Sequence, residues 1–157
     1  MGMLREFTVT ITRPANTTAY AANDVIGDVS GSLSKILNAV KQVGYPAVIR
    51  SILAVTNDTG LAGKTVELFA LKNAVTAIAD NAAFTLSAAN WLNVKGTATL
   101  VFGTGIKATL AENKYCDIDI FPADKNIGII PVTIEGFTPS ANSTYIELKI
   151  SVYFTNA

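Results

Sequence analysis

Residues near both ends of the chain alternate between apolar and polar with a period of two, and this most limits the folds open to it. Phe7, Val9 and Ile11 alternate with Thr8, Thr10 and Thr12. Ile146, Leu148, Ile150, Val152 and Phe154 alternate with Glu147, Lys149, Ser151 and Tyr153. Successive side chains of an extended strand point to opposite faces, so each stretch predicts a strand with one face buried. Pro14 ends the first, because proline has no N–H to donate to a ladder. Both strands are expected in the core sheets.

Between them the pattern stays extended but is less regular. Ala47 to Thr56 is apolar on both faces apart from Arg50 and Ser51, which predicts a central strand with both sides covered. Asn57-Asp58-Thr59-Gly60 reads as a turn. Lys64 to Leu71 is the next strand, and Trp91 to Phe102 contains another, with Gly96 as a bulge. Lys114 to Phe121 sets Cys116, Ile118 and Ile120 against Asp117 and Asp119. Ile127 to Glu135 follows, with Pro131 arguing for an edge position or a bulge. Asn73 to Asn81 ends in turn formers and reads as a loop. Ser32 to Val43 is contested: Leu33, Ile36, Leu37 and Val40 have helical spacing, with Ser32 as N-cap and Gly44 as a terminal glycine. The sum is an all-β chain, a single-domain β-sandwich or jelly roll of about eight antiparallel strands. Residues 1–157 form that one domain, residues 1–5 being read as a flexible lead or partly a cloning remnant.

Composition narrows the function. The 157 residues carry twelve basic and twelve acidic side chains, one cysteine and no histidine. Balanced charge argues against nucleic acid as a partner, since phosphate binding draws on a basic surplus. Without histidine the commonest general base, metal ligand and triad partner are missing, so no enzyme activity is expected. One cysteine makes no intrachain disulfide. No run of about 18 apolar residues is present, so no membrane partner is expected, and Glu6 interrupts any secretory core at the N-terminus. Asn16-Thr17-Thr18, Asn57-Asp58-Thr59 and Asn142-Ser143-Thr144 match the glycosylation sequon but read as turns.

Asp117 and Asp119, one residue apart on a strand, could turn both carboxylates toward a hard cation, with Asp124 just beyond. A calcium site wants about six to eight oxygens, so the expectation is an ordinary solvent-facing strand, with no metal and no cofactor. A carboxylate pair for sugar hydrolysis would have to span a cleft, which spacing in sequence does not show. Gly103-Thr104-Gly105 lacks the Lys-Ser/Thr ending of a phosphate loop and reads as a hairpin turn. Cys116 reads as a small buried hydrophobe. Tyr20, Tyr45, Trp91, Tyr115, Tyr145 and Tyr153 fall in turns or on outward strand positions, where Tyr and Trp favour binding surfaces.

The stretch Phe7 to Asp28, FTVTITRPANTTAYAANDVIGD, resembles the opening of a family of small virion-associated structural proteins of tailed bacteriophages, encoded among head genes. Thr12-Arg13-Pro14-Ala15, Thr17-Thr18, Tyr20-Ala21-Ala22 and Asp24-Val25-Ile26 carry the likeness. Asn23 departs from it, standing where glycine is usual. The resemblance implies that 32–43 is extended or irregular, which is the expectation adopted. It also implies a non-enzymatic virion protein assembled in the host cytoplasm, a capsid decoration or cement protein. Its partners would be itself, as a homo-oligomer such as a trimer, and the major capsid protein. The interface is expected around Arg13, Tyr20, Tyr45 and Trp91. The alternative is a carbohydrate- or receptor-binding β-module of a phage fibre or tail.

Overall fold

A computed structural model describes residues 2–113 and 115–155. The strands are β1 (Gly2–Thr12), β2 (Ser34–Ile36), β3 (Ala47–Thr56), β4 (Thr65–Leu71), β5 (Val94–Val101), β6 (Leu110–Asn113), β7 (Ile118–Ile120), β8 (Ile127–Thr133) and β9 (Tyr145–Thr155). They form two antiparallel sheets. One runs β1-β9-β3-β6, with β7 also on β3; the other runs β2-β8-β4-β5. β7 pairs with the first part of β3 (Ala47–Ile49) and β6 with the last (Ile52–Val55). They therefore act as one interrupted strand, and the interleaving of early and late strands in both sheets is that of a jelly roll.

The terminal alternation became the longest ladder, β1 on β9 from Gly2↔Thr155 to Thr12↔Tyr145. Residues 2–5, expected to be a flexible lead, are inside it. The inward residues Val9, Ile11, Ile146, Leu148, Ile150, Val152 and Phe154 meet Val66, Leu68, Ala98, Leu100, Ile127 and Ile129 of the other sheet in one main core. Each such side chain removed from water is worth about 1.5–3 kcal/mol. Residues 32–43 are not helical: β2 occupies 34–36 and turns follow, with Asn38 at φ 51°. Helical spacing lost because Ile36, Ala39 and Val40 bury themselves as strand end and turn. Asn23, in the glycine position implied by the resemblance, has φ 65°, a region asparagine tolerates better than other side chains.

Two expectations about strands need correcting. Pro131 is neither on an edge nor in a bulge; it pairs with Leu68 on β4 inside the sheet. Its carbonyl points away from β4 and accepts from Ile26 N–H at 3.0 Å. The proline nitrogen lies on that same side, so the β4 ladder loses nothing. β3 is central, as expected, but only one of its faces is covered: Val48, Leu53 and Val55 remain half-buried. The Gly96 bulge is present, the register stepping from Gly96 to Val94 while β4 steps from Ala70 to Leu71. At the seam between the sheets on that side, Asn113 Nδ2 donates to Thr99 O at 3.2 Å.

Candidate interaction face

The outer faces of the two sheets have opposite fates. Outside the four-stranded sheet, Val25, Leu71, Ile130 and Val132 form a second apolar cluster, roofed by Leu33, Phe69, Val75, Ile78, Phe84 and Val94. Much of that roof is the loop between β4 and β5. β8, one face in each cluster, is buried along its whole length.

The outer face of the five-stranded sheet carries no such cluster among the described residues. Register places its outward side chains in rows: Leu4, Tyr153, Val48 and Asp119; Thr8, Lys149, Leu53 and Glu112; Thr10, Glu147, Val55 and Leu110. β3 gives every row one apolar, half-buried member, with Tyr153, Lys149 and Glu147 of β9 beside it, and Leu4 is 61% exposed. Charges of both signs stand around this stripe. The face is kinked at Arg50, where the β3–β9 register shifts. The Arg50 guanidinium lies 5.6 Å from the centre of the Tyr153 ring and pairs with Asp117 at 2.6 Å. Cys116 N–H donates to Arg50 O at 3.1 Å, which holds the chain crossing from β6 to β7 against the kink. Tyr115 projects from it, 85% exposed. An open sheet face with an apolar strand between charged neighbours of both signs can bury a matching flat surface.

The four expected interface residues are not on this face. Arg13 and Tyr20, expected on the surface, are 1% and 3% exposed; this corrects their expected role. Their chemistry is internal. Arg13 Nε donates to the Tyr20 hydroxyl, which donates to Asp80 Oδ1. Arg13 Nη1 donates to Thr144 Oγ1 at 3.2 Å, and Thr144 Oγ1 donates to Asp58 Oδ2 at 2.9 Å. Asp58 Oδ1 accepts from Gly60 and Ser140 N–H. Arg13 Nη2 lies 3.8 Å from Asp80 Oδ2 and has no hydrogen bond of its own. Tyr20 also stacks on Phe137, ring centres 4.7 Å apart. Burial pushes its hydroxyl well above the ordinary range, the bond to Asp80 pushes the same way, and Arg13 opposes. The network joins four loops at one end of the sandwich. Residue identity alone pointed outward because arginine and tyrosine are seldom so buried.

Tyr45 is partly buried against the main core. Trp91, on the short helix α1 (Ala88–Trp91), is 47% exposed and edge-on to Phe69 and Phe84, ring centres 6.1 and 5.8 Å away. Asp117 does not share the strand face of Asp119: it precedes β7 with φ 39° and turns to Arg50. Among the described residues no group of three metal-ligating side chains forms. Cys116 is half-buried, and burial raises its thiol pKa. Lys114, at the start of the strand expected over 114–121, lies outside the described residues; only Ile118–Ile120 of the rest is strand. The polar outward set of β9 beside the apolar outward set of β3 is the one sequence signal of this face, and it does not tell that the face is left uncovered.

No protein-family model matches the chain, and no curated protein matches it. Among solved structures it is similar to the capsid of Helicobacter pylori bacteriophage KHP30, with 10% identity over 100% of this chain and 95% of that one, TM-score 0.38. It is similar also to a chain of the cyanophage Pam1 capsid, with 10% identity over 99% and 86%, TM-score 0.42. A lipoprotein of Bacteroides thetaiotaomicron stands alongside, with 10% identity over 99% and 84%, TM-score 0.39. Likenesses this slight assign neither a family nor a role.

Proposed function

We propose that this chain is a non-enzymatic structural protein of a bacteriophage virion, of the capsid decoration or cement kind, which associates with itself and with the capsid surface. The observation that carries this reading is the bare outer face of the five-stranded sheet, whose centre is Val48, Leu53 and Val55. A strand apolar on both sides but covered on one leaves a surface that gains from burial against a partner. The resemblance of residues 7–28 to virion-associated proteins names the kind of partner. A formal net charge of zero lets copies stand side by side without strong repulsion, and a capsid repeats one site many times, so modest contacts suffice.

Co-sedimentation with isolated empty heads of the encoding phage tests this, together with mass spectrometry of purified virions. Saturable binding and presence in the particle are expected. Absence from virions together with a monomeric state at the highest soluble concentration overturns the reading. Trp91, exposed beside two other rings, favours a second reading, a carbohydrate-binding module of a fibre or tail. Glycan-array binding abolished by Trp91→Ala would establish that one instead.

A further inference from the structure

β1 is the end strand of its sheet, and the direction of its main-chain groups can be read from its last residues. Thr12 N–H donates to Asp28 Oδ2 at 2.9 Å, and Thr12 O accepts from Val29 N–H at 2.6 Å, both away from β9. Arg13 N–H turns the other way, to Thr144 O at 2.8 Å. Main-chain groups alternate sides along a strand. Leu4, Glu6, Thr8 and Thr10 therefore aim both N–H and C=O at the open edge. At the start of this stretch one apolar side chain on each face is exposed, Leu4 at 61% and Met3 at 40%. Its one basic side chain, Arg5, lies over the Phe7 ring at 5.1 Å. Soluble proteins normally blunt such an edge with proline, lysine or a covering segment; β1 contains neither residue.

We infer that this edge pairs antiparallel with β1 of a second copy, about a two-fold axis at Phe7, continuing the five-stranded sheet across the axis. The inference rests on the self-association in the reading above and not on the capsid. Charge selects the register. An axis at Arg5 or at Glu6 sets like charges directly opposite, which is destabilising. An axis at Thr8 sets Leu4 against Thr12, whose groups are already taken. The axis at Phe7 pairs Leu4 with Thr10 and Glu6 with Thr8, so every open residue exchanges both of its bonds. It also brings Glu6 of one copy beside Thr8 of the other, with exposed Lys149 on the next strand. Two strand spacings are about 9–10 Å, which the lysine and glutamate stems span over the short threonine. Symmetry repeats the pair. A cleft of about 250 Å³ lies beside this edge, between Thr8–Thr10 and the segment that includes Asp28, Ser30 and Ser32–Lys35.

Light scattering on the full chain is expected to give twice the 16.5 kDa of one copy. Thr8→Pro deletes an edge-facing N–H that the β9 ladder does not use, so a folded monomer is expected by circular dichroism. Glu6→Lys and Lys149→Glu should each weaken association by about tenfold, and the double variant should restore it. A wild-type monomer at the highest soluble concentration overturns the inference. So does an oligomer indifferent to both charge reversals. A dimer that ignores empty heads defeats only the capsid part of the reading, and a head-binding monomer defeats this inference and the self-association it rests on while leaving capsid binding intact.

Discussion

A β-carbon at Gly96 would stand 2.8 Å from Cγ2 and 3.1 Å from Cγ1 of Ile118, so β5 lies over β7 only because Gly96 has no side chain. The closure of that seam depends on this contact. Gly96→Ala is expected to cost about 1–3 kcal/mol by overpacking, measured by urea unfolding. Adding Ile118→Val should recover part of the loss, and a strictly additive double variant would refute the contact's role.

Among the described residues Asp80 is the only carboxylate within ion-pair distance of the buried Arg13 guanidinium, at 3.8 Å. Asp80→Ala leaves that cation in the interior without its counter-charge, for which about 3–5 kcal/mol is the usual loss. Tyr20→Phe keeps the stack on Phe137 and removes the hydroxyl, an expected loss of about 1–3 kcal/mol. Chemical denaturation of both variants checks the order.

Tyr20 also sets an alkaline limit. Its pKa in the folded chain lies above the unfolded value of 10.0, so the folded state holds this proton more tightly. The associated stability is complete below pH 10 and is lost as pH rises above it. Absorbance titration should show one of the five tyrosines ionising only as the chain unfolds, and Tyr20→Phe should abolish that delayed step. All five titrating together in the folded protein would contradict the assignment.

Leu53→Lys alters the bare face at its centre. Leu53 points outward and is half-buried, so unfolding free energy should change by no more than about 1 kcal/mol. Binding to empty heads should be lost. Retention of full binding would remove this face from the proposed role.

How much could be read in advance varies with how local the cause is. Alternation is a property of neighbouring residues, so β9, the second half of β1, the bounds of β3 and, to within one residue, those of β4 followed from the pattern. Pro131 misled because its tolerance depends on which side its nitrogen faces, and a distant segment at Ile26 decides that. Arg13 and Tyr20 were expected outside because their partners, Asp80 and Thr144, lie far along the chain. The bare face was hidden for the opposite reason: apolar residues on both sides of β3 announce burial, but not whether their own chain supplies the cover. The loop that could have done so went to the other sheet.

The pairing of Gly2 with Thr155 gives the backbone a property beyond stability. Residues at the two extremes of the β1–β9 ladder are cross-strand neighbours, about 5 Å apart. A short glycine linker could join them, and the circle could be reopened at Ile106, which is wholly exposed on a turn between β5 and β6. Such a permuted polypeptide would retain every ladder of both sheets while presenting its new ends on the rim opposite the old ones.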